Sequence, residues 1–200
     1  MNDLNKHIEG KISKSYAAKN IAFELKDISE GSREVVFYGS AFDVLDSDND
    51  VIKKGAFTKS IQERSGSSNG RKIAHLRNHD FEHQIGSIKE IYEDEYGLKV
   101  VSKLGKSTKG NDALLDYQDG ILREHSIGFN YVQDKIKFIE DSSLNEAGHW
   151  DITEVKLWEV SGVTFGANEF TPVLDVAKGL NNKSQLSNKL EQLNASFLKA

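Results

Sequence analysis

Hydrophobic and polar positions alternate in short runs over most of the chain, and the period lengthens to a helical one in only three places. Residues 34–42, Glu34-Val35-Val36-Phe37-Tyr38-Gly39-Ser40-Ala41-Phe42, read as a strand, and so do residues 72–76. Residues 85–91 and 98–104 pair across the turn Glu93-Asp94-Glu95-Tyr96-Gly97, which predicts an antiparallel hairpin. A second pair is predicted between 131–140 and 150–155, and 157–165 continues in strand. Helical spacing is found over 55–61, where Phe57, Ser60 and Ile61 share a face. It returns after Ser107, an N-cap for a helix to Gln118 with Ala113, Leu114 and Tyr117 on one side and Gly120 as the stop. Many short strands with two helices predict an α+β domain, a mostly antiparallel β-barrel with a few flanking helices.

The pattern weakens at both ends. Residues 1–20 are polar and unpatterned, as expected of a flexible N-terminal arm, and the domain is expected over 21–178. Residues 179–200 form a polar linker followed by an amphipathic helix, because Leu186, Leu190, Leu193 and Phe197 recur at helical spacing. The segment 65–70, rich in Ser, Gly and Asn, is expected to be a flexible loop.

Charge and composition remove several function classes. The net charge is -5 and no dense basic block occurs, which argues against sequence-independent nucleic-acid binding. No window approaches the roughly 18 apolar residues of a membrane span, and residues 1–20 lack a signal-peptide core, so a soluble chain that stays where it was made is expected. With no cysteine, disulfides, thiolate nucleophiles and Cys-ligated zinc are excluded. A nucleophile, if there is one, is Ser, Thr or Lys.

Ser126 stands out in Glu124-His125-Ser126-Ile127-Gly128-Phe129, since strand interiors favour β-branched and aromatic side chains over a bare hydroxyl. It is either an outward-facing surface residue or a group placed for chemistry. A serine nucleophile needs a base within hydrogen-bond reach and a third group to orient that base. His79, in Asn78-His79-Asp80 at the end of a predicted strand, would be half-exposed and able to titrate near neutral pH. His125 adjoins Ser126, but neighbours on a strand point to opposite faces, so it reads as a flanking, substrate-facing residue and not as the base. Two other patterns carry less. His75, His79 and His83 are spaced as helical zinc ligands, yet the segment around them looks extended, and a metal hydrolase is the minor reading. Asp46-Ser47-Asp48-Asn49-Asp50 imitates the start of a calcium loop, but Val51 and Phe57 stand where Gly and Glu are needed, which leaves a solvated turn. No Gly-x-Ser-x-Gly elbow and no phosphate-binding glycine loop is present.

Taken in order, Tyr38-Gly39-Ser40-Ala41-Phe42 with Asp46, Asp50-Val51-Ile52 and Gly55-Ala56-Phe57, then Asn78-His79-Asp80 with Ile85-Gly86, then Ser126-Ile127-Gly128-Phe129, and finally Glu159 to Asn168 resemble the tailed-phage prohead protease family. The resemblance covers about residues 35–177. It implies a fold like that of herpesvirus assemblin and a capsid-maturation serine endopeptidase acting in the host cytoplasm inside the prohead. Scaffold and major capsid protein would be its substrates, the chain itself a further one, and a homo-oligomer is compatible with it. No cofactor, metal, nucleic acid or membrane is implied. Position by position, Ser126 matches the nucleophile motif and His79 the base motif. Glu159, in Trp158-Glu159-Val160-Ser161, matches the third member, with Glu154 and Asp80 as rivals. The chain departs from the family at Gly166, where proline is common, and at His125, where a small or apolar residue is usual. A noncatalytic assembly module using the same barrel and the 186–197 stripe is the alternative of a different class.

Overall fold

Alternation of side chains along the chain resolves into two sheets, the larger of them curled. The computed structural model describes residues 32–65, 70–140 and 143–176, so the expected terminal arm, the C-terminal helix and most of the 65–70 loop lie outside the described residues. The strands are β1 (Glu34–Ala41), β2 (Asp50–Ile52), β3 (Ala74–Arg77), β4 (Asp80–Glu93), β5 (Gly97–Leu104), β6 (Glu124–Tyr131), β7 (Ile136–Ile139), β8 (His149–Ile152), β9 (Val155–Val163) and β10 (Val173–Val176). Two α-helices interrupt them, α1 (Thr58–Arg64) and α2 (Thr108–Gln118). Seven strands form one sheet in the order β10-β1-β5-β4-β3-β9-β6, and β2-β8-β7 form a second.

The predicted hairpin is present as β4–β5, and β7–β8 is the second antiparallel pair, with Ile136 opposite Ile152. The barrel expectation needs correcting in one respect. The large sheet curls without closing, although β1 comes up against β9 and β6 closely enough that a Cβ on Gly39 would lie 3.2 Å from Val160 and 3.5 Å from Ile127. The pairing is mostly antiparallel, as expected, with two parallel exceptions, β3 with β9 and β2 with β8. Parallel neighbours need a long crossover, which local alternation cannot reveal. The strand-rich α+β class stands.

Inside the curl lie Val35, Phe37, Leu98, Val100, Leu104, Leu157 and Val160, each at most 2% exposed. Each fully buried side chain of this size contributes roughly 1.5–3 kcal/mol of transfer free energy. Helix α2 closes one flank with Ala113 and Tyr117 inward. Its start is fixed as expected, since the Ser107 hydroxyl accepts the Gly110 N–H at 3.3 Å, a cap whose removal costs about 1 kcal/mol. Gly120 follows at φ 68°, the left-handed geometry that ends a helix. Helix α1 packs Ser60 inward, where its hydroxyl donates to Val155 O at 2.7 Å and accepts from Leu157 N at 2.9 Å, tying the helix to β9. No helix among the described residues is long and apolar enough to cross a membrane.

Candidate active site

His79 occupies a two-residue turn between β3 and β4, flanked by the pair Arg77–Asp80. Both turn residues have positive φ, 51° at Asn78 and 59° at His79, the pattern of a hairpin turn that Asn-Gly fills most easily. Histidine carries a Cβ into that region and is strained there. The strain is held by β9, whose Gly162 carbonyl accepts Asn78 N–H at 3.0 Å and whose Ser161 hydroxyl accepts His79 N–H at 3.1 Å.

Strand β9 lies between β3, which leads into the turn at His79, and β6, which carries Ser126. Its parallel register with β3 sets Leu76 beside Ser161 and Arg77 beside Gly162. Its antiparallel register with β6 sets Ser126 opposite Ser161 and Gly128 opposite Glu159. Residues two apart on a strand share a face, so Glu159 and Ser161 stand together with Ser126 and Gly128. Glu159 is 1% exposed and Ser161 is fully buried. The carboxylate is nevertheless fully engaged: Oε1 lies 2.7 Å from His79 Nδ1, and Oε2 accepts the Ser161 hydroxyl at 2.5 Å. Such charge-assisted bonds are what make a buried carboxylate tolerable.

The space for this carboxylate comes from Gly128. A Cβ there would stand 2.1 Å from Glu159 Oε1, far inside contact distance. Gly128→Ala is expected to push Glu159 off His79 while the sheet still forms. Histidine ¹⁵N spectra with a melting curve check it, and an alanine variant whose His79 signals are those of the wild type would mean that the carboxylate keeps its place.

The bond to Glu159 raises the pKa of His79 above its ordinary value, against the opposing effect of partial burial. A carboxylate only accepts, so Nδ1 carries the proton and Nε2 is left as a lone pair. His79 keeps 44% of its side chain exposed. It opens, with Ser126, into a cleft of ≈ 670 Å³. One wall is β6 at Ile127, Gly128 and Phe129; the others are 46–50 and 165–168. The rivals for the carboxylate role are engaged elsewhere, Glu154 with Lys59 at 3.3 Å and Asp80 with the N–H of Glu82 at 2.8 Å.

Several expectations change. His125 is not substrate-facing: it is fully buried, stacked on Phe37 with ring centroids 3.8 Å apart. The opposite-face argument holds, with Ser126 in the cleft and His125 in the core. His75 is equally buried, with Nδ1 2.7 Å from the Ser102 hydroxyl and Nε2 3.3 Å from the Tyr117 hydroxyl. Its two nitrogens are thus occupied, and among the described residues no group of three or more His, Asp or Glu is arranged to hold a metal. The segment 46–50 is not simply a solvated turn. Asp50 is 4% exposed and accepts the Tyr131 hydroxyl at 2.5 Å, while burial pushes the Asp46 carboxyl up to about 6. Gly128 and Ser161 were not singled out as site residues by the sequence; the only local signal was their place in the two strand motifs that bear Ser126 and Glu159.

The buried rings admit one arrangement of protons. Thr171 O lies 3.0 Å from His125 Nδ1 and can only accept, so Nδ1 carries the hydrogen and Nε2 accepts from Tyr117 at 2.9 Å. Tyr117 has then spent its proton, and His75 Nε2–H must donate to it. Histidine ¹⁵N spectra are expected to show opposite neutral tautomers, Nδ1–H for His125 and Nε2–H for His75, persisting to pH about 4 because burial pushes both pKa values down to about 3.

Comparison with known proteins bears on most of the chain. Residues 20–185 match the family profile described as Caudovirus prohead serine protease. The chain is also 31% identical over 152 residues to the prohead protease of Enterobacteria phage HK97, an alignment that takes in 73% of this chain and 61% of that protein.

Proposed function

The chain belongs to the caudovirus prohead serine protease family, and on that premise we propose that it is a serine endopeptidase of capsid maturation, with Ser126 as nucleophile, His79 as general base and acid, and Glu159 as the group that orients the imidazole. The observation that carries the reading is the 2.7 Å bond from His79 Nδ1 to a buried carboxylate, on a ring that shares its cleft with Ser126. Nε2 takes the Ser126 proton as Oγ attacks the scissile carbonyl, and the imidazolium so formed is stabilised by Glu159. The same proton then passes to the leaving amine, and water repeats the cycle on the acyl-enzyme.

The strand edge fits an extended polypeptide as substrate. Among the described residues strand β6 pairs with β9 alone and stands at the edge of the sheet. His125 turns its N–H and C=O away from β9 toward the Thr171 hydroxyl, at 3.0 and 2.8 Å. By alternation Ile127 turns its own pair the same way, into the cleft and next to the nucleophile. A substrate strand adds there by main-chain hydrogen bonds. Phe165, 86% exposed on the rim, offers apolar surface to a side chain of that strand.

The substrates in this reading are segments of scaffold and major capsid protein inside the prohead, with the chain's own ends as further targets. The curled sheet and its short flanking helices are compatible with an assemblin-like fold. Incubation with the coat and scaffold proteins of the same phage is expected to yield discrete truncation products by intact-mass spectrometry. Fresh and aged enzyme compared the same way reports self-cleavage. Intact coat and scaffold after prolonged incubation, inside as well as outside assembled proheads, would favour a noncatalytic assembly module.

A further inference from the structure

Ser102, His75, Tyr117, His125 and Thr171 form one continuous hydrogen-bonded chain through the core, each at most 3% exposed. It runs from β5 through β3 and α2 to β6 and ends on the segment that follows β9. Apolar residues of similar volume would fill this space without the desolvation of five polar groups. A fully satisfied network instead fixes one geometry, and here each ring N–H and the Tyr117 hydroxyl has one acceptor, while the Thr171 hydroxyl faces both His125 O and Asn168 O, at 2.8 and 3.1 Å.

The chain ends one residue before the proposed nucleophile. At His125 the Thr171 hydroxyl accepts the backbone N–H at 3.0 Å and donates to the backbone carbonyl at 2.8 Å, while Thr171 O takes the ring Nδ1–H at 3.0 Å. A single residue thus substitutes for a neighbouring strand on the open edge of β6. Thr171 also closes the stretch 164–171, whose Gly166, Ala167 and Asn168 form the cleft wall facing β6. The same stretch is fastened a second time, by Glu124 Oε2 accepting Gly166 N–H at 2.8 Å. Nucleophile strand and cleft wall are thus joined at the two residues that precede Ser126, Glu124 and His125.

We infer that Thr171 is a positioning residue for the reaction: with the buried His125–Tyr117–His75 chain behind it, it holds β6 so that Ser126 sits at attack distance from a substrate carbonyl lying against the 165–168 wall. This rests on the proposed serine endopeptidase reading. Attack geometry tolerates little error, and a displacement of about 1 Å far from the chemistry can cost on the order of 100-fold in rate.

The test compares Thr171→Val, which keeps the shape and removes the hydroxyl, with Thr171→Ser, which keeps the hydroxyl. Each is assayed for inactivation by a fluorophosphonate and for kcat and KM on a peptide from the coat protein, all per titrated active site. Thr171→Val is expected to lose about 10- to 100-fold in kcat and in labelling rate with KM within about threefold, and Thr171→Ser to restore most of the loss. Should the valine variant not fold, Tyr117→Phe, which cuts the chain at its middle, is expected to lose kcat in the same sense. A merely structural role would lower the melting temperature and the titrated fraction but leave the rate per site at the wild-type value, and that result overturns the proposal. If wild-type protein is labelled no faster than Ser126→Ala, the endopeptidase reading itself falls, and the positioning role with it.

Discussion

Ser126→Ala is expected to reduce kcat on a coat-protein peptide by about 10⁴- to 10⁶-fold, because the proposed nucleophile is gone and only binding and electrostatic assistance remain; Ser40 and Ser47 also line the cleft but have no His79–Glu159 pair assigned to them. The fold should be untouched: Ser126 is partly exposed at the cleft, and the hydrogen bonds that secure β6 run through the neighbouring His125 and through β9. His79→Ala should fall to a similar floor, and the double variant should be no worse than either single one, since residues that act as a unit do not add. Single-turnover kinetics with a thermal melt of each protein makes the measurement. A Ser126→Ala enzyme within tenfold of wild type would move the nucleophile elsewhere.

Glu159→Gln is expected to cost about 10⁴-fold in kcat, more than its size suggests. The carboxylate accepts from both His79 and Ser161, and an amide that turns its NH₂ toward Nδ1 forces the imidazole into the tautomer whose Nε2 carries the proton and cannot act as a base. The pH dependence carries a sign. Glu159 raises the His79 pKa, and the base must be neutral, so wild-type activity falls as pH drops through that raised value. In Glu159→Gln the midpoint of the residual activity should move to lower pH. Stability runs the other way. A raised folded-state pKa gives a contribution fully present below the unfolded value of about 6.5 and lost as pH rises through the folded value. The variant should therefore be destabilised more at pH about 6 than at pH about 9. A pH–rate profile whose midpoint does not move would separate Glu159 from His79 in function.

Local pattern revealed what local physics determines. The β4–β5 hairpin, the Ser107-capped helix and the opposite facing of His125 and Ser126 all follow from periodicity and short-range hydrogen bonding, and the structure has them. What brings the site together is nonlocal. Strand β9 meets β3 in parallel across more than 80 residues of chain, the adjoining His79 and Ser161 standing 82 residues apart, and nothing in either segment announces its partner. The left-handed turn at Asn78 and His79 escaped because it contains no glycine. Strand β2, three residues long, is shorter than a pattern needs to declare itself. His125 looked available to a substrate because histidine is polar; its burial depends on Tyr117 and Thr171, which are brought to it by α2 and by the segment after β9.

The strained turn at His79 has a consequence for when this protein becomes competent. Its backbone is kept in place by Gly162 and Ser161, and its ring by Glu159, all contributed by a strand synthesised some 80 residues later. A nascent chain that already contains Asn78 and His79 lacks the partners that hold this turn and its ring in place. In the proposed reading, competence therefore waits for β9 and for the following stretch to Thr171 that completes the cleft, and a partly made domain is expected to be inert toward its neighbours on the polysome.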